Sequence, residues 1–196
     1  FAKVPYGTWI IREIESPKGY VLSEEEIAVT IGKVDEVVEI ELVNYFIKGN
    51  IALTKVDEDY PDNKLSGAVF EVYSDTNGDG KLDKDDTLLG EMKELDGGVY
   101  QMSELRYGKY LVKETKAPTG FVLDENVYSV SVEENGKTYT VENKAGVGFI
   151  NAAQKGSLKI VKTSSDGKVE GFSFRVTGVD YDQTFKTDKN GEIVIE

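Results

Sequence analysis

The sequence contains no cysteine and no histidine among its 196 residues. The chain therefore cannot form disulfide bonds, thiolate or imidazole metal sites, a cysteine nucleophile or a Ser-His-Asp triad. It also has no apolar run approaching the roughly 18 residues that a membrane-spanning helix needs, so we expect no membrane insertion. A secreted domain of this composition must be stabilised by something other than disulfide bonds.

Positive charge is scarce, because 23 Lys and Arg residues stand against 36 Asp and Glu residues and the net charge is -13. This balance argues against binding to nucleic acids, because such binding depends on Lys and Arg neutralising phosphates. It also argues against binding to anionic membrane surfaces. Hydrophobic residues make up 39% of the chain and include 11 Tyr and 8 Phe, enough for a packed core. Nothing in the sequence indicates an organic cofactor.

Two pairs of similar segments reveal an internal repeat. Residues 7–22 (GTWIIREIESPKGYVL) match residues 108–123 (GKYLVKETKAPTGFVL) at an offset of 101. Residues 49–55 (GNIALTK) match residues 156–162 (GSLKIVK) at an offset of 107. A period of this length is that of one small domain.

The offsets divide the chain into one complete repeat and two halves. We predict that residues 49–154 form the complete copy. Residues 1–48 then correspond to the C-terminal half of a preceding copy, and residues 155–196 to the N-terminal half of a following one. The neighbouring repeats of the same protein are therefore its first expected partners.

Short alternating segments separated by Gly, Asn and Asp predict an all-β fold. About seven such segments in the complete copy favour a β-sandwich. They are residues 51–57, 68–74, 99–103, 109–115, 127–133, 137–142 and 146–151. The pair Asn135-Gly136 predicts a hairpin turn, and the best helical candidate, Ser23–Val29, is short.

Three polar residues of the complete copy continue apolar stripes. Because successive side chains of a strand alternate between its faces, Lys55 shares a face with Ile51 and Leu53. By the same alternation, Glu114 and Asn151 fall on the inward faces of their own strands. Equivalent residues recur in the two halves: Lys162, Glu13 and Asn44.

A buried charge without a partner is destabilising by several kcal/mol, so these positions need an explanation. One interpretation is a buried Lys–Glu ion pair capped by an amide, or an alternation that drifts at the strand ends. The other is chemical: an apolar core makes Lys a neutral amine nucleophile and Glu a proton carrier. Such a Glu would polarise the Asn carbonyl and shuttle protons while Lys attacks Cγ and ammonia leaves. The product is a Lys–Asn isopeptide bond between the first and last strands.

Three blocks of the complete copy, residues 54–57, 65–72 and 110–121, resemble the CnaB-type (SpaA-like, prealbumin-like) repeats of Gram-positive surface adhesins and pilins. The most specific is the E-x-x-x-P-x-G-[YF] block at residues 114–121, which recurs at residues 13–20. The resemblance covers the whole chain as one full repeat and two halves. It implies tandem prealbumin-like/Ig-like β-sandwich domains at the cell surface or in the cell wall of a Gram-positive bacterium.

The resemblance also implies a spontaneous Lys–Asn crosslink assisted by Glu. In the complete copy this assigns Lys55, Asn151 and Glu114. In the halves it assigns Lys162 as the lysine of the third copy, and Glu13 and Asn44 as the Glu and Asn of the first. One departure is Ala152, where many repeats carry a bulkier residue. Neither half holds a full set.

Residues 75–86 match the twelve-residue D-x-[DN]-x-[DN]-G calcium loop, with Gly80 at the sharp turn. The six candidate ligands are Asp75, Asn77, Asp79, the carbonyl of Lys81, Asp83 and Asp86. Oxygen ligands at this spacing suit a hard cation, and we expect a structural Ca²⁺ of modest affinity. The alternative is a solvated Asn-Gly/Asp-Gly turn.

These features favour a structural stalk or spacer module that crosslinks itself once and is not an enzyme. The alternative is an adhesin domain that binds a host protein or glycan, yet the ligand is unknown and the one tryptophan, Trp9, is predicted to point inward. A glycosidase with paired carboxylates is a third class, and no feature selects a pair. We also expect copies of the chain to associate head to tail, so that the half that carries Lys162 in one copy completes the half that carries Asn44 in the next.

Overall fold

The computed structural model describes residues 4–178 and 181–196. They belong to two compact units, Phe1–Ala153 and Gln154–Glu196. The fold is all-β, as the sequence predicts, and the one helical element among the described residues is a 3₁₀ turn at Asp96–Gly98. No helix in this part of the chain is long and apolar enough to cross a membrane.

The first unit contains eleven strands. In chain order they are β1 (Gly7–Arg12), β2 (Glu26–Ile31), β3 (Lys48–Asp57), β4 (Val69–Ser74), β5 (Thr87–Glu91), β6 (Lys93–Leu95), β7 (Val99–Arg106), β8 (Gly108–Lys116), β9 (Val127–Val132), β10 (Thr138–Thr140) and β11 (Phe149–Asn151).

Strands β3 to β11 form a sandwich of two sheets. One sheet has the order β10-β3-β7-β6, with β11 also paired to β3, and the other has the order β5-β4-β8-β9. Strand β7 runs antiparallel to β3, whereas β10 and β11 run parallel to it. The first and last strands of the repeat are therefore direct neighbours.

The core lies between these two sheets. From Gly49 to Lys55 every second residue of β3 is buried, and Ile51 and Leu53 belong to one core with Phe70 and Val112 of the other sheet. The ring of Phe70 packs edge-on against those of Tyr100 and Phe149, with centroids 5.1 and 4.9 Å apart. Burying an aromatic or aliphatic side chain of this size stabilises the fold by about 1.5–3 kcal/mol. The core thus fixes which face of each strand is interior.

Residues 4–48 form a much smaller structure within the same unit. Strands β1 and β2 make a two-stranded antiparallel sheet, in which Trp9 lies opposite Val29. The weak helical candidate at Ser23–Val29 is not helical, because these residues lead into and form part of β2. Trp9 is 41% exposed, so the inward prediction for it was also wrong: among residues 4–48 no second sheet covers this face.

The segment before β3 joins this small sheet to the sandwich. The backbone of Ile47 bonds to Gly19 and to Tyr107 at 2.8 and 2.9 Å. The guanidinium of Arg106 lies 4.0 Å from the ring centroid of Phe46. These contacts hold residues 4–48, hereafter the head, against the β7–β8 turn of the complete repeat.

The second unit contains four short strands: β12 (Leu158–Val161), β13 (Ser173–Gly178), β14 (Tyr181–Lys186) and β15 (Glu192–Ile195). They pair antiparallel as β12 with β15 and β13 with β14. Among its described hydrophobic side chains only Ile193 is buried, while Leu158 and Val161 are 46% and 59% exposed. This unit has little core of its own.

Two local predictions for the complete repeat differ from the structure. Strands β5 and β6 were missed, because their sequences alternate weakly and all but Gly90 of their residues are exposed. The Asn135-Gly136 turn does not close a hairpin. Strand β9 pairs with β8 and strand β10 with β3, so the chain crosses between the sheets at this turn.

Candidate functional site

Lys55 lies near the end of β3 with none of its surface exposed. Because β11 runs parallel to β3 and Phe149 lies opposite Lys55, the lysine amine reaches the last strand. Its Nζ donates a hydrogen bond to the Phe149 carbonyl at 3.0 Å and another to Asn151 Oδ1. The amine also lies 5.1 Å from the ring centroid of Phe149, so an aromatic ring flanks it.

Close approach of β11 to β3 depends on a glycine. Gly148, directly before β11, has a φ of +133°, and a Cβ there would lie 2.8 Å from the Thr54 carbonyl oxygen. That position cannot accommodate a side chain without a shift of backbone. Gly148 therefore allows Asn151 to come within reach of Lys55.

Glu114 approaches the same point from the opposite sheet, on β8, and is also fully buried. Its two carboxylate oxygens accept hydrogen bonds from Asn151 Nδ2 at 3.1 and 2.9 Å. The backbone N–H of Asp124 donates a third at 2.8 Å, and Lys55 Nζ lies 3.8 Å from Oε1. The structure thus brings together the three residues that the sequence singled out in the complete copy.

The surroundings shift the protonation of both charged groups. Burial lowers the pKa of Lys55 to about 8, against the opposing charges of Glu114 and Asp124. Burial likewise raises the pKa of Glu114, although hydrogen bonds from Asp124 and Asn151 and the charge of Lys55 partly oppose this. Both shifts favour the uncharged pair, a neutral amine next to a protonated carboxyl group.

The orientation of the Asn151 carboxamide revises one expectation. Its oxygen faces Lys55 and its nitrogen faces Glu114, so Glu114 is not placed to polarise the carbonyl. Lys55 contacts that oxygen instead. Glu114 is placed to give a proton to the nitrogen that would leave.

Sequence reasoning missed a group of residues directly behind this site. Asp124 Oδ2 accepts hydrogen bonds from Tyr128 Oη at 2.7 Å and from Asn143 Nδ2 at 2.8 Å. Asn143 in turn bonds to both backbone groups of Ile150. The one available signal was that Asp124 directly follows the repeated block at residues 108–123.

The head repeats half of the site. Asn44 Nδ2 donates to both carboxylate oxygens of Glu13 at 2.8 Å, and the backbone N–H of Ser23 donates to the same carboxylate at 2.7 Å. Ser23 follows Glu13 by ten residues, just as Asp124 follows Glu114. Among the described residues no lysine bonds to either side chain, so this pair has no amine.

Lys162, the predicted lysine of the third copy, follows β12 in the second unit and is half-buried. Its Nζ donates to the Thr163 carbonyl and lies 4.7 Å from the ring centroid of Phe172. In the described part of its unit it makes no hydrogen bond to a carboxylate or a carboxamide. The head therefore holds the carboxylate and the carboxamide of the site, and the second unit holds the amine.

The predicted calcium loop lies between β4 and β5. The oxygens of the buried Asp75 accept hydrogen bonds from the backbone N–H groups of Gly78 and Gly80 at 2.7 and 3.1 Å. Asp79 and Asp86 likewise accept from backbone N–H groups, those of Lys81 and Thr76, at 2.8 and 3.1 Å.

Two of the three other ligand candidates of this loop contact each other: Asn77 Nδ2 donates to Asp83 Oδ2 at 3.3 Å. Within residues 4–178 and 181–196, no three carboxylates are gathered as metal ligands would be. The oxygens are turned toward the backbone, and the calcium site stays a prediction.

Comparison with known proteins agrees with the fold. The sequence profile of SpaA, a prealbumin-like fold domain, matches residues 1–45 and 49–145. The structure of the Bacillus anthracis TIE protein matches with a TM-score of 0.78 and 27% identity over 98% of this chain and 34% of that chain. The chain thus spans about a third of that protein.

A second solved structure, the major pilin subunit BcpA of Bacillus cereus, is 24% identical over 78% of this chain and 41% of its own. Its TM-score is 0.43. The search of curated proteins gives no match.

Proposed function

The chain belongs to the SpaA family of prealbumin-like fold domains, and we propose that it is a stalk module of a Gram-positive cell-wall surface protein, an adhesin or pilin. In this proposal an intramolecular isopeptide bond between Lys55 and Asn151 stabilises the module. The supporting observation is the buried contact of Lys55, Asn151 and Glu114 between β3, β11 and β8.

The reaction is an exchange of one amide for another. Neutral Lys55 Nζ attacks Asn151 Cγ, the Nζ–Cγ bond forms and the Cγ–Nδ2 bond breaks. The amine loses a proton and the leaving nitrogen takes one up, so that ammonia departs. Glu114 Oε1 lies 3.8 Å from Nζ and 3.1 Å from Nδ2, which lets one carboxyl group carry the proton between them.

Packing supplies the reactivity that an amide lacks in water. Groups held in the right geometry reach effective molarities of ~10⁵ M or more. The bond forms once per molecule and regenerates no catalyst, so the chain is not a turnover enzyme. Ammonia leaves the site, which makes the product stable.

The crosslink would oppose both unfolding and extension. It joins the first and last strands of the sandwich, so pulling on these strands cannot extend the chain between them. It also restricts the unfolded chain: for a disulfide that closes a loop of about 100 residues, the entropy model gives about 4.7 kcal/mol. A rod built from such modules resists force and proteases, as a stalk requires.

Intact-mass measurement tests this function directly. Because ammonia is lost, we expect the purified chain to weigh about 17 Da less than its sequence. Lys55→Ala and Glu114→Ala should restore the full mass and lower the melting temperature. Lys93→Ala, which removes an exposed lysine from β6 of the same sheet, is the matched control and should keep the mass loss. Full sequence mass in a well-folded wild type contradicts the proposal.

We further propose that copies of the chain associate head to tail. The Glu13–Asn44 pair is in hydrogen-bonding contact, and no described lysine bonds to it. Among the described residues of its unit, Lys162 Nζ donates to the Thr163 carbonyl and not to a carboxylate or a carboxamide. Both regions expose apolar strand residues, Ile10 at 62% and Val161 at 59%. Exposed strand faces and edges favour association. In this association Lys162 of one copy meets Asn44 of the next.

A further inference from the structure

Asn143 occupies the outer edge of β11, the strand that carries Asn151. Its Oδ1 accepts a hydrogen bond from the Ile150 N–H at 2.6 Å, and its Nδ2 donates to the Ile150 carbonyl at 2.9 Å. On the other edge, β11 pairs with β3, and the Asn151 carbonyl accepts from Glu58 N at 3.0 Å. One carboxamide thus takes the place of a neighbouring strand for a strand of only three residues.

Asp124 connects this edge to the acid. Its carboxylate oxygen Oδ2 accepts from Asn143 at 2.8 Å and from Tyr128 at 2.7 Å. Its backbone N–H donates to Glu114 Oε2 at 2.8 Å. A single residue therefore links the clamp on β11 to the carboxyl group that faces Asn151.

We propose that Asn143 and Asp124 are positioning residues for the isopeptide reaction: Asn143 holds β11 so that Asn151 faces Lys55, and Asp124 holds Asn143 and Glu114 in register. This inference rests on the proposed Lys55–Asn151 bond. It adds two residues that touch neither reacting atom and act through their neighbours.

Asp124 also acts through its charge on Lys55 and Glu114. Burial tends to raise its pKa, but hydrogen bonds from Asn143, Tyr128 and Asn126 hold that pKa below its usual value, so it stays ionised. Its negative charge raises the pKa values of Glu114 and Lys55. The charge of Asp124 therefore shifts both titrations of the reacting pair in the same direction, upward.

The head shows what the arrangement is without this carboxylate. Ser23 stands at the position of Asp124 and supplies the backbone N–H to Glu13 but no carboxylate. Asn44 Nδ2, the counterpart of Asn151 Nδ2, donates to Glu13 and also to the Val21 carbonyl at 3.1 Å. The carboxylate that holds Asn143 in the complete repeat is thus absent at the equivalent position of the head.

Crosslinking rates of the full chain test the inference. The protein is synthesised in a short pulse, quenched in denaturant at intervals and followed by the mass loss of about 17 Da. We expect Asn143→Ala to slow the reaction at least tenfold. The matched control is Asn50→Ala, which also removes a bridging carboxamide, here between β3, β7 and β10, and should react at the wild-type rate.

A second variant separates positioning from general destabilisation. Asp124→Asn keeps the backbone N–H and an oxygen acceptor but removes the charge. Because that charge raises both pKa values of the pair, its loss should move the pH optimum of crosslinking to lower pH, whereas a purely structural effect would slow the reaction without moving the optimum. In a Glu114→Ala background, where no bond forms, Asn143→Ala and Asn50→Ala should melt at similar temperatures.

The results separate the proposed isopeptide bond from the positioning role of Asn143 and Asp124. A wild type that keeps its full mass contradicts the proposed function, and this inference with it. A wild type that crosslinks, together with Asn143→Ala at the wild-type rate or Asp124→Asn with an unmoved optimum, overturns the positioning role alone.

Discussion

The buried amine of Lys55 is the residue on which the chemistry depends. An amine in water is protonated at neutral pH, because its pKa is near 10.4, and a protonated amine is not a nucleophile. Burial lowers the pKa of Lys55 to about 8 and raises that of Glu114. Both shifts move the pair toward its uncharged forms, whereas an exposed Lys and Glu would stay an ion pair.

These shifts predict a bell-shaped pH dependence of crosslinking. Below about pH 8 Lys55 becomes increasingly protonated, so the rate should fall as the pH decreases. At high pH Glu114 loses its proton and can no longer supply one to the leaving nitrogen, so the rate should fall again. Pulsed synthesis in buffers across this range, read by intact mass, measures the profile. A rate that rises steadily with pH would contradict the role of Glu114.

At the scale of elements, the loop between β4 and β5 is where a ligand could order the chain. Asp75 is buried at its base, but its oxygens accept from Gly78 and Gly80 of the loop itself. These backbone bonds use part of the acceptor capacity that calcium would need from the same carboxylate. We therefore expect modest affinity.

We expect calcium to protect this loop and leave the sandwich unchanged. Limited proteolysis within residues 75–86 should be slower with Ca²⁺ than with a chelator, while the melting temperature changes little, because the core and the crosslink lie elsewhere. Asp75→Ala should abolish the difference, and Asp96→Ala, at an acidic turn outside the loop, should retain it. Equal cleavage under both conditions would support the plain turn.

At the scale of the whole molecule, the chain combines a well-packed repeat with two regions of little core. The sandwich buries both charged partners of its site completely, whereas Glu13, Asn44 and Lys162 are only half-buried. The same residue types are therefore shielded from water in the sandwich and partly exposed in the other two regions. Only where two sheets cover the site does the amine lose its water.

Head-to-tail association predicts covalent ladders. If Lys162 of one copy bonds to Asn44 of the next, the wild type should show species that survive boiling in detergent. Lys162→Ala should reduce them to monomer and keep the mass loss from Lys55–Asn151, and Lys159→Ala is the neighbouring control. Wild type that is monomeric both in detergent and in native sizing rules out the association.

The alternation of side chains between the two faces of a strand is a local property, so the sequence alone was enough to predict interior positions for Lys55, Glu114 and Asn151. The same reasoning gave the wrong exposure for Trp9. Alternation says which side chains share a face, but only a second sheet decides whether that face is covered. The all-β fold was accessible from the sequence for the same local reason, whereas the weakly alternating β5 and β6 were not.

The sequence by itself determined the internal repeat, which residues share a strand face, and the residue types of the site. All three follow from short-range patterns and from similarity between segments of the chain. Tertiary structure alone decided that β11 runs parallel beside β3, that the Asn151 nitrogen faces Glu114, and that Asn143 holds Ile150. The reason is distance along the chain: Lys55 and the Phe149 carbonyl it bonds to are 94 residues apart. No local pattern specifies which of many interior faces will meet, because that choice is made by packing of the whole core.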